Sequence, residues 1–279
     1  MKTETPPETA AAIAELARLR EMDAFRTRFL NMAAHELNTP LTPLRLQMHL
    51  LLSGGLGALD EKQRQAVEVA NRNVGRLSAV VKEMLEVARM EGGGLRFHVE
   101  TFALADAVKE AVESFDEVAR GIGVTLKANV PPEIIVKTDR QRLVQVFLNL
   151  ISNALKFTPA GGQVTLSARS SGNHLTLDVK DTGVGLTQEQ ISRLFQPFTQ
   201  VHEDVMTVEG AGLGLYICRG LVEAMGGTIV CLSDGPGKGS TFRIVMPLSH
   251  EEVISMLAPH ALPREDPREA AQRRLRELI

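Results

Sequence analysis

Asn149-Leu150-Ile151-Ser152-Asn153-Ala154-Leu155-Lys156-Phe157 closes a helical window that begins at Asp139, and its reading decides the fold. Asn149, Asn153 and Lys156 fall four and three residues apart and share one helical face, while Val146, Leu150 and Leu155 take the others. Two amides and an ammonium on one face also suit an ordinary solvated surface. The downstream sequence argues against that. Asp181-Thr182-Gly183-Val184-Gly185 ends a strand-like run, Gly210-Ala211-Gly212-Leu213-Gly214-Leu215 opens a helix, and a third glycine cluster spans Gly235 to Gly239. One glycine cluster says little, because glycine turns are common. Two of them flanking an intervening segment, joined to an amide-rich helix, point to a nucleotide site, since backbone N–H groups at a glycine-rich helix start bind phosphate.

Around these blocks the periodicity alternates. Strand-like runs cover Gly123 to Asn129, Ile134 to Thr138, Gln163 to Arg169, His174 to Lys180, Thr228 to Ser233 and Ser240 to Met246. Helical windows cover Leu104 to Arg120, Asp139 to Phe157, Thr187 to Leu194 and Gly212 to Met225. Short turns such as Ser170-Ser171-Gly172-Asn173 join some of the strands. The pattern predicts an α+β sandwich, one mixed sheet covered by helices on one face. Beyond Pro247 the chain turns polar. Ala270 to Ile279 has short amphipathic character, and a loosely packed tail is the expectation there.

Upstream the sequence is helical from about Glu8 to Glu91 with one break. Ala66, Ala70, Asn73, Leu77, Val80, Met84 and Val87 make one stripe, and Val67, Val74, Val81 and Ala88 a second, one heptad apart. Two adjacent stripes are too wide for a two-stranded coil and suit a four-helix bundle. The earlier helix offers Ile13, Leu16, Leu19, Met22, Phe25, Phe29 and Met32, then Leu37, Leu41, Leu44, Met48 and Leu51. Ser53-Gly54-Gly55-Leu56-Gly57 breaks it, and Asp60 is the predicted N-cap of the next helix. An antiparallel helical hairpin follows, and because one hairpin cannot bury both stripes, a homodimeric four-helix bundle is expected. Gly92-Gly93-Gly94 ends the hairpin as a flexible hinge.

Within the first helix, His35 falls out of phase with Phe25, Phe29 and Met32 and so points to the flank of the bundle. Glu36 follows it directly, and a neighbouring carboxylate can hold the proton of one imidazole nitrogen while the other keeps a free lone pair. Pro40 sits inside the helical pattern, at a cost of ~3 kcal/mol. A plain bundle has no use for a bend five residues beyond a histidine.

His35, Glu36, Thr39, Pro40 and Leu41 match the H-box of histidine kinases, so this stretch resembles their dimerisation and histidine-phosphotransfer domain. The later blocks resemble, in order and spacing, the N-box, first glycine box, F-box (Leu194-Phe195-Gln196-Pro197-Phe198) and second glycine box of the ATP-binding domain. The likeness runs from about Arg20 to Leu248 and implies a GHKL, or Bergerat, fold. It implies that His35 accepts the γ-phosphate of ATP, that Glu36 is the general base, and that Thr39 positions water when the phosphorylated partner is dephosphorylated. It further implies Mg²⁺ at Asn153, with Asn149 and Lys156 near the phosphates and Asp181 accepting from the adenine amino group. Gly183 and Gly185 would pass close to the base, and Gly210, Gly212, Leu213 and Gly214 would border the triphosphate, with a lid over Thr199 to Gly210. The partner implied is the receiver domain of a response regulator.

Two departures from the family pattern are visible. Asn38 stands where a basic or other long residue is usual, and Thr199 to Gly210 holds Glu203, Asp204 and Glu209 but no lysine or arginine. The triphosphate would then depend on Mg²⁺, Lys156, the glycine amides and Arg219, and comparatively weak, strongly Mg²⁺-dependent ATP binding is expected. The rival within the fold is an ATPase, which in relatives uses a glutamate four residues before the Mg²⁺-binding asparagine. Asn149 occupies that place, and an amide cannot act as a general base. A regulator-docking scaffold without catalysis is the rival from another class.

Composition agrees with this reading and narrows it. A chain of 279 residues with 44% apolar and 23% charged residues is globular, and a net charge of -3 does not suit a nucleic-acid binder held by bulk charge. Cys218 and Cys231 are isolated and form no metal-ligand pattern. No apolar run approaches the ~20 residues a membrane helix needs, so a cytoplasmic location without a membrane segment is expected. The expected organisation is a helical lead-in over 1–19, the phosphotransfer domain over 20–91, the hinge over 92–94, the ATP-binding domain over 95–248 and the tail over 249–279.

Overall fold

The computed structural model describes residues 32–33, 36–37, 39–92, 94–200 and 211–249. They fall into two compact units, one within 1–96 and 209–217, the other within 97–208 and 218–279. His35, Asn38, Gly93, Gly210, most of the expected lid and the C-terminal tail lie outside the described residues.

The first unit holds a helix over 39–52 (α1), with residues 36–37 also helical, and α2, Glu61–Glu91. Gly54 and Gly57 take positive φ values of 78° and 108° in the turn between them, where other residues would be strained. Asp60 caps α2 as expected, accepting from Gln63 N–H at 2.8 Å, while the Gln63 side chain accepts from Asp60 N–H at 3.0 Å. Leu41 of α1 packs with Val81 and the flanking Val74 and Leu85 of α2. Val74 and Val81 of the Val67, Val74, Val81 and Ala88 stripe therefore line the inner seam of the hairpin. Leu77, from the other stripe, is 48% exposed, and Leu37, Leu44, Leu46 and Leu50 of the first helical segment are exposed as well.

The second unit contains β1 (Val99–Ala103), α3 (Leu104–Glu113), α4 (Asp116–Gly121), β2 (Thr125–Asn129), β3 (Ile135–Asp139), α5 (Arg140–Phe157), β4 (Gln163–Ser171), β5 (His174–Asp181) and α6 (Gln188–Arg193). It ends with β6 (Thr228–Leu232) and β7 (Thr241–Pro247), while α7 (Gly214–Ala224) begins in the segment grouped with the first unit. Five strands form one sheet in the order β2-β4-β5-β7-β6, with β2 parallel to β4 and the other pairs antiparallel. Alternation sets its two faces. Val164, Leu166, Leu175, Leu177, Val179, Phe242, Ile244 and Met246 are buried on one, against helices that contribute Val108, Phe147, Leu150 and Ile151.

The sequence-based expectation of one sheet is corrected in one respect. β3 is not part of the five-stranded sheet: it pairs antiparallel with β1, from Val99↔Asp139 to Ala103↔Ile135, as a separate two-stranded ribbon. The Leu104 to Arg120 window is likewise broken at Ser114 and Phe115, where the Ser114 hydroxyl donates back to Glu110 O at 2.8 Å and competes with helix continuation.

Candidate active site

Asp139 starts the helix that carries the amide face. Its Oδ1 accepts from Arg142 N–H at 3.0 Å, capping α5, and its Oδ2 accepts from His98 N–H at 2.7 Å, tying the cap to the chain ahead of β1. With the apolar side of α5 buried, Asn149 and Asn153 are half-buried and Lys156 is exposed, all on one face. Lys156 Nζ lies 5.5 Å from the centroid of the Phe157 ring.

The glycine loop after β5 is fastened to the end of that helix. Val184 N–H donates to Phe157 O at 3.1 Å. A Cβ on Gly183 would come within 2.3 Å of the same carbonyl, so no larger residue fits while this contact holds. Gly185 has φ +66°, and its Cβ would fall 2.2 Å from Gly235 O. Asp181, Gly183 and Gly185 are thus brought together at the C-terminal end of α5.

Asp181 is buried, at 4% exposure. Its Oδ1 accepts from Gly183 N–H at 2.8 Å and Ser240 N–H at 3.1 Å, and its Oδ2 accepts from the Ser240 hydroxyl at 2.5 Å. Donors on both oxygens fix the plane of the carboxylate. The Cys231 thiol is pushed up to about 12, first by burial and then by the nearby Asp181 charge, so it is a neutral neighbour of the carboxylate.

Sequence reasoning missed Ser240 and the purpose of the third glycine cluster. Gly237 N–H donates to Val184 O at 2.6 Å and Gly239 N–H to Gly183 O at 3.1 Å, so the 235–239 loop backs the 183–185 loop. Gly239 has φ +72°, and a Cβ there would meet Asp181 O at 2.1 Å. The available signal was the cluster itself, which lies immediately ahead of β7.

The remaining candidates are dispersed. Glu36 and Thr39 are exposed in the first unit, whereas His35 and Gly210 lie outside the described residues. Gly212, with φ +71°, Leu213 and Gly214 belong to the segment grouped with the first unit. Arg219 is paired with Glu223 at 2.8 Å on α7. Phe198, the last residue of the Leu194 to Phe198 block, has φ +60° and is 67% exposed. A non-glycine residue held in that conformation stores strain.

The family models for the His Kinase A (phospho-acceptor) domain and for the histidine kinase-, DNA gyrase B-, and HSP90-like ATPase match residues 25–93 and 138–250. Among relatives, an uncharacterized sensor-like histidine kinase of Rhizobium meliloti is 34% identical over 85% of this chain and 46% of its own length. The adaptive-response sensory kinase SasA of Synechococcus is 30% identical over 87% of this chain and 68% of its own length. The crystal structure of full-length ShkA in complex with AMPPNP superposes with a TM-score of 0.69 at 28% identity, covering 80% of this chain and 46% of that one. The chain thus spans less than half the length of the first of these relatives and of ShkA. A phospho-acceptor match followed by an ATPase match, and an amide helix, glycine loops and buried aspartate in the order the sequence predicts, make this chain a member of the sensor histidine kinase family.

Proposed function

We propose that this chain is an autokinase core that phosphorylates His35 from ATP and passes the phosphoryl group to an aspartate of a response regulator. The observation that carries the reading is the Asp181 carboxylate, buried and held in place at the foot of the amide-bearing helix. A fixed buried acceptor favours an amino-bearing base, because a partner without the donor leaves the remaining acceptor site of the carboxylate empty. Asn149, Asn153 and Lys156, along the same helix, suit the phosphates.

Asn153 would hold Mg²⁺ through its side-chain oxygen. No cluster of three or more His, Cys, Asp or Glu side chains exists among the described residues. A neutral amide oxygen fits a hard cation that retains water and takes its other ligands from phosphate. When bound, the ion neutralises phosphate charge. The chain's own groups do the rest. Lys156 and the glycine amides orient the triphosphate. Glu36 takes the imidazole N–H proton as the His35 nitrogen forms its bond to the γ-phosphorus, the bond from that phosphorus to the bridging oxygen breaks, and ADP leaves. Thr39 positions the water that hydrolyses the aspartyl phosphate of the regulator, releasing inorganic phosphate. Asn149, unable to act as a base, favours transfer to histidine over hydrolysis.

Two further elements complete the proposal. The exposed Leu37, Leu44 and Leu77 of the hairpin support a homodimer through a four-helix bundle. Among the described residues no helix is long and apolar enough to cross a membrane; use of ATP together with a receiver-domain partner supports a cytoplasmic core. The domain limits above, with a hinge at 92–94, are part of the same reading.

Incubation with γ-labelled ATP tests it. Acid-labile, base-stable label that disappears in His35→Gln is expected. Release of free phosphate without protein label identifies an ATPase, and neither product a docking scaffold.

A further inference from the structure

The face of the five-stranded sheet that turns away from the helices is polar across β4 and β5. It holds a pocket of about 410 Å³ lined in part by Thr165, Ser167, Asp178, Lys180, Thr241 and Arg243. Strand register creates the arrangement. Lys127, Thr165, Lys180 and Thr241 form one row across β2, β4, β5 and β7, and Asn129, Ser167, Asp178 and Arg243 form the next. Directly opposed residues on one face approach to about 5 Å between Cβ atoms, so the Lys180 side chain rises from the sheet between Thr165 and Thr241.

The charge on this face is one-sided. Arg243 donates to both oxygens of Asp178, Nε to Oδ1 at 2.7 Å and Nη2 to Oδ2 at 2.9 Å, and Arg169 Nη1 lies 3.4 Å from Oδ2. That carboxylate is therefore satisfied by two guanidiniums, and it is the first cause of the raised Arg243 pKa. Among the described residues Lys180 has no carboxylate partner. Lys127, Arg169, Lys180 and Arg243 thus face a single acid, Asp178. Arg243 uses two of its five N–H groups on Asp178 and keeps three for another acceptor.

We propose that this pocket is a binding site for a small phosphate-bearing anion, separate from the nucleotide site. A tetrahedral oxyanion can accept from an ammonium, two hydroxyls and a pre-oriented guanidinium at once. The volume lies in the range of small-molecule sites. No aromatic residue stands in either row, so the face has no platform on which to stack the bases of a single strand. On β5 the outward Lys180 is followed by the inward Asp181, so the site backs onto the strand that carries the candidate adenine acceptor.

Calorimetric titration of the full chain with pyrophosphate, at fixed ionic strength, tests the assignment. With the nucleotide site saturated by AMPPNP, one saturable site per chain is expected, weakened about tenfold or more in Lys180→Glu and by a smaller factor in Lys180→Ala, with thermal unfolding unchanged in both. Lys156→Ala separates this site from the nucleotide site and is expected to leave the titration intact. Loss of binding in Lys156→Ala with retention in Lys180→Glu would overturn the proposal, as would the absence of saturable heat with the unaltered chain.

Discussion

Ser240 grips the Asp181 carboxylate twice across 59 residues of sequence, its backbone N–H on Oδ1 at 3.1 Å and its hydroxyl on Oδ2 at 2.5 Å. Ser240→Ala keeps the first bond and removes the second. A hydrogen bond to a charged group contributes about 1.5–3 kcal/mol, so AMPPNP affinity is expected to fall about tenfold. Asp181→Asn, which turns one acceptor into a donor, should cost about a hundredfold or more. Calorimetry on both variants is the check, and unchanged affinity in Ser240→Ala would remove its hydroxyl from the account of the pocket.

Two glycines with positive φ separate strain from collision. At Gly172, φ +57° and with no atom within 4 Å of an added Cβ, alanine meets only the left-handed backbone penalty of about 1–2 kcal/mol. At Gly239 the same penalty is joined by a contact of 2.1 Å with Asp181 O. Gly239→Ala is expected to cost about 3 kcal/mol or more and to weaken nucleotide binding, whereas Gly172→Ala leaves binding intact. Denaturant unfolding followed by nucleotide titration distinguishes them.

Glu83 on α2 carries a buried Oε2 without a hydrogen-bond partner among the described residues. Burial first, and the Glu86 charge second, raise its pKa above the ordinary 4.5. An acid raised in the folded state contributes its stability below the ordinary value, and that contribution is lost as pH rises through the folded one. Ionised Glu83 therefore weighs against folding at neutral pH. Glu83→Gln is expected to stabilise the chain by about 1 kcal/mol at pH 7, with the gain shrinking toward pH 4. Thermal unfolding across that range gives the answer, and a gain that grows on acidification contradicts the sign.

With its pKa near 12 and its side chain buried, Cys231 stays a thiol at physiological pH. The thiolate is the reactive species, so iodoacetamide at pH 8 should leave Cys231 unmodified in the native chain and label it in denaturant. Peptide mapping of the alkylated protein reads this directly.

For the acceptor side, Glu36→Gln is expected to slow His35 labelling by about 10²-fold or more, the usual worth of a positioned base. Thr39→Ala should leave labelling nearly intact and slow dephosphorylation of the regulator. A Glu36→Gln chain that labels at the original rate rules out Glu36 as the base.

The parts of this molecule governed by local pattern were legible in the sequence. The face of Asn149, Asn153 and Lys156 follows from helical spacing alone, and the Asp60 cap from residue type and position. β1 was not legible, because Val99-Glu100-Thr101-Phe102-Ala103 is short and its partner β3 begins 32 residues after it ends. The break at Ser114 escaped notice since neither glycine nor proline marks it. Ser240 was hidden for a different reason. Its role exists only through its pairing with Asp181, and nothing local distinguishes it from any serine at the start of a strand.

The β5–β7 pairing sets Asp178 opposite Arg243 on one side of the sheet, and just past the ladder's end it brings Ser240 to Asp181 on the other. A slip of one residue would reverse both faces together. In the proposed nucleotide site the Asp181 acceptor therefore cannot be retuned apart from the ladder: a graft or redesign must carry both strands in register, and a change that loosens the ladder is expected to be felt first as a loss of base selectivity.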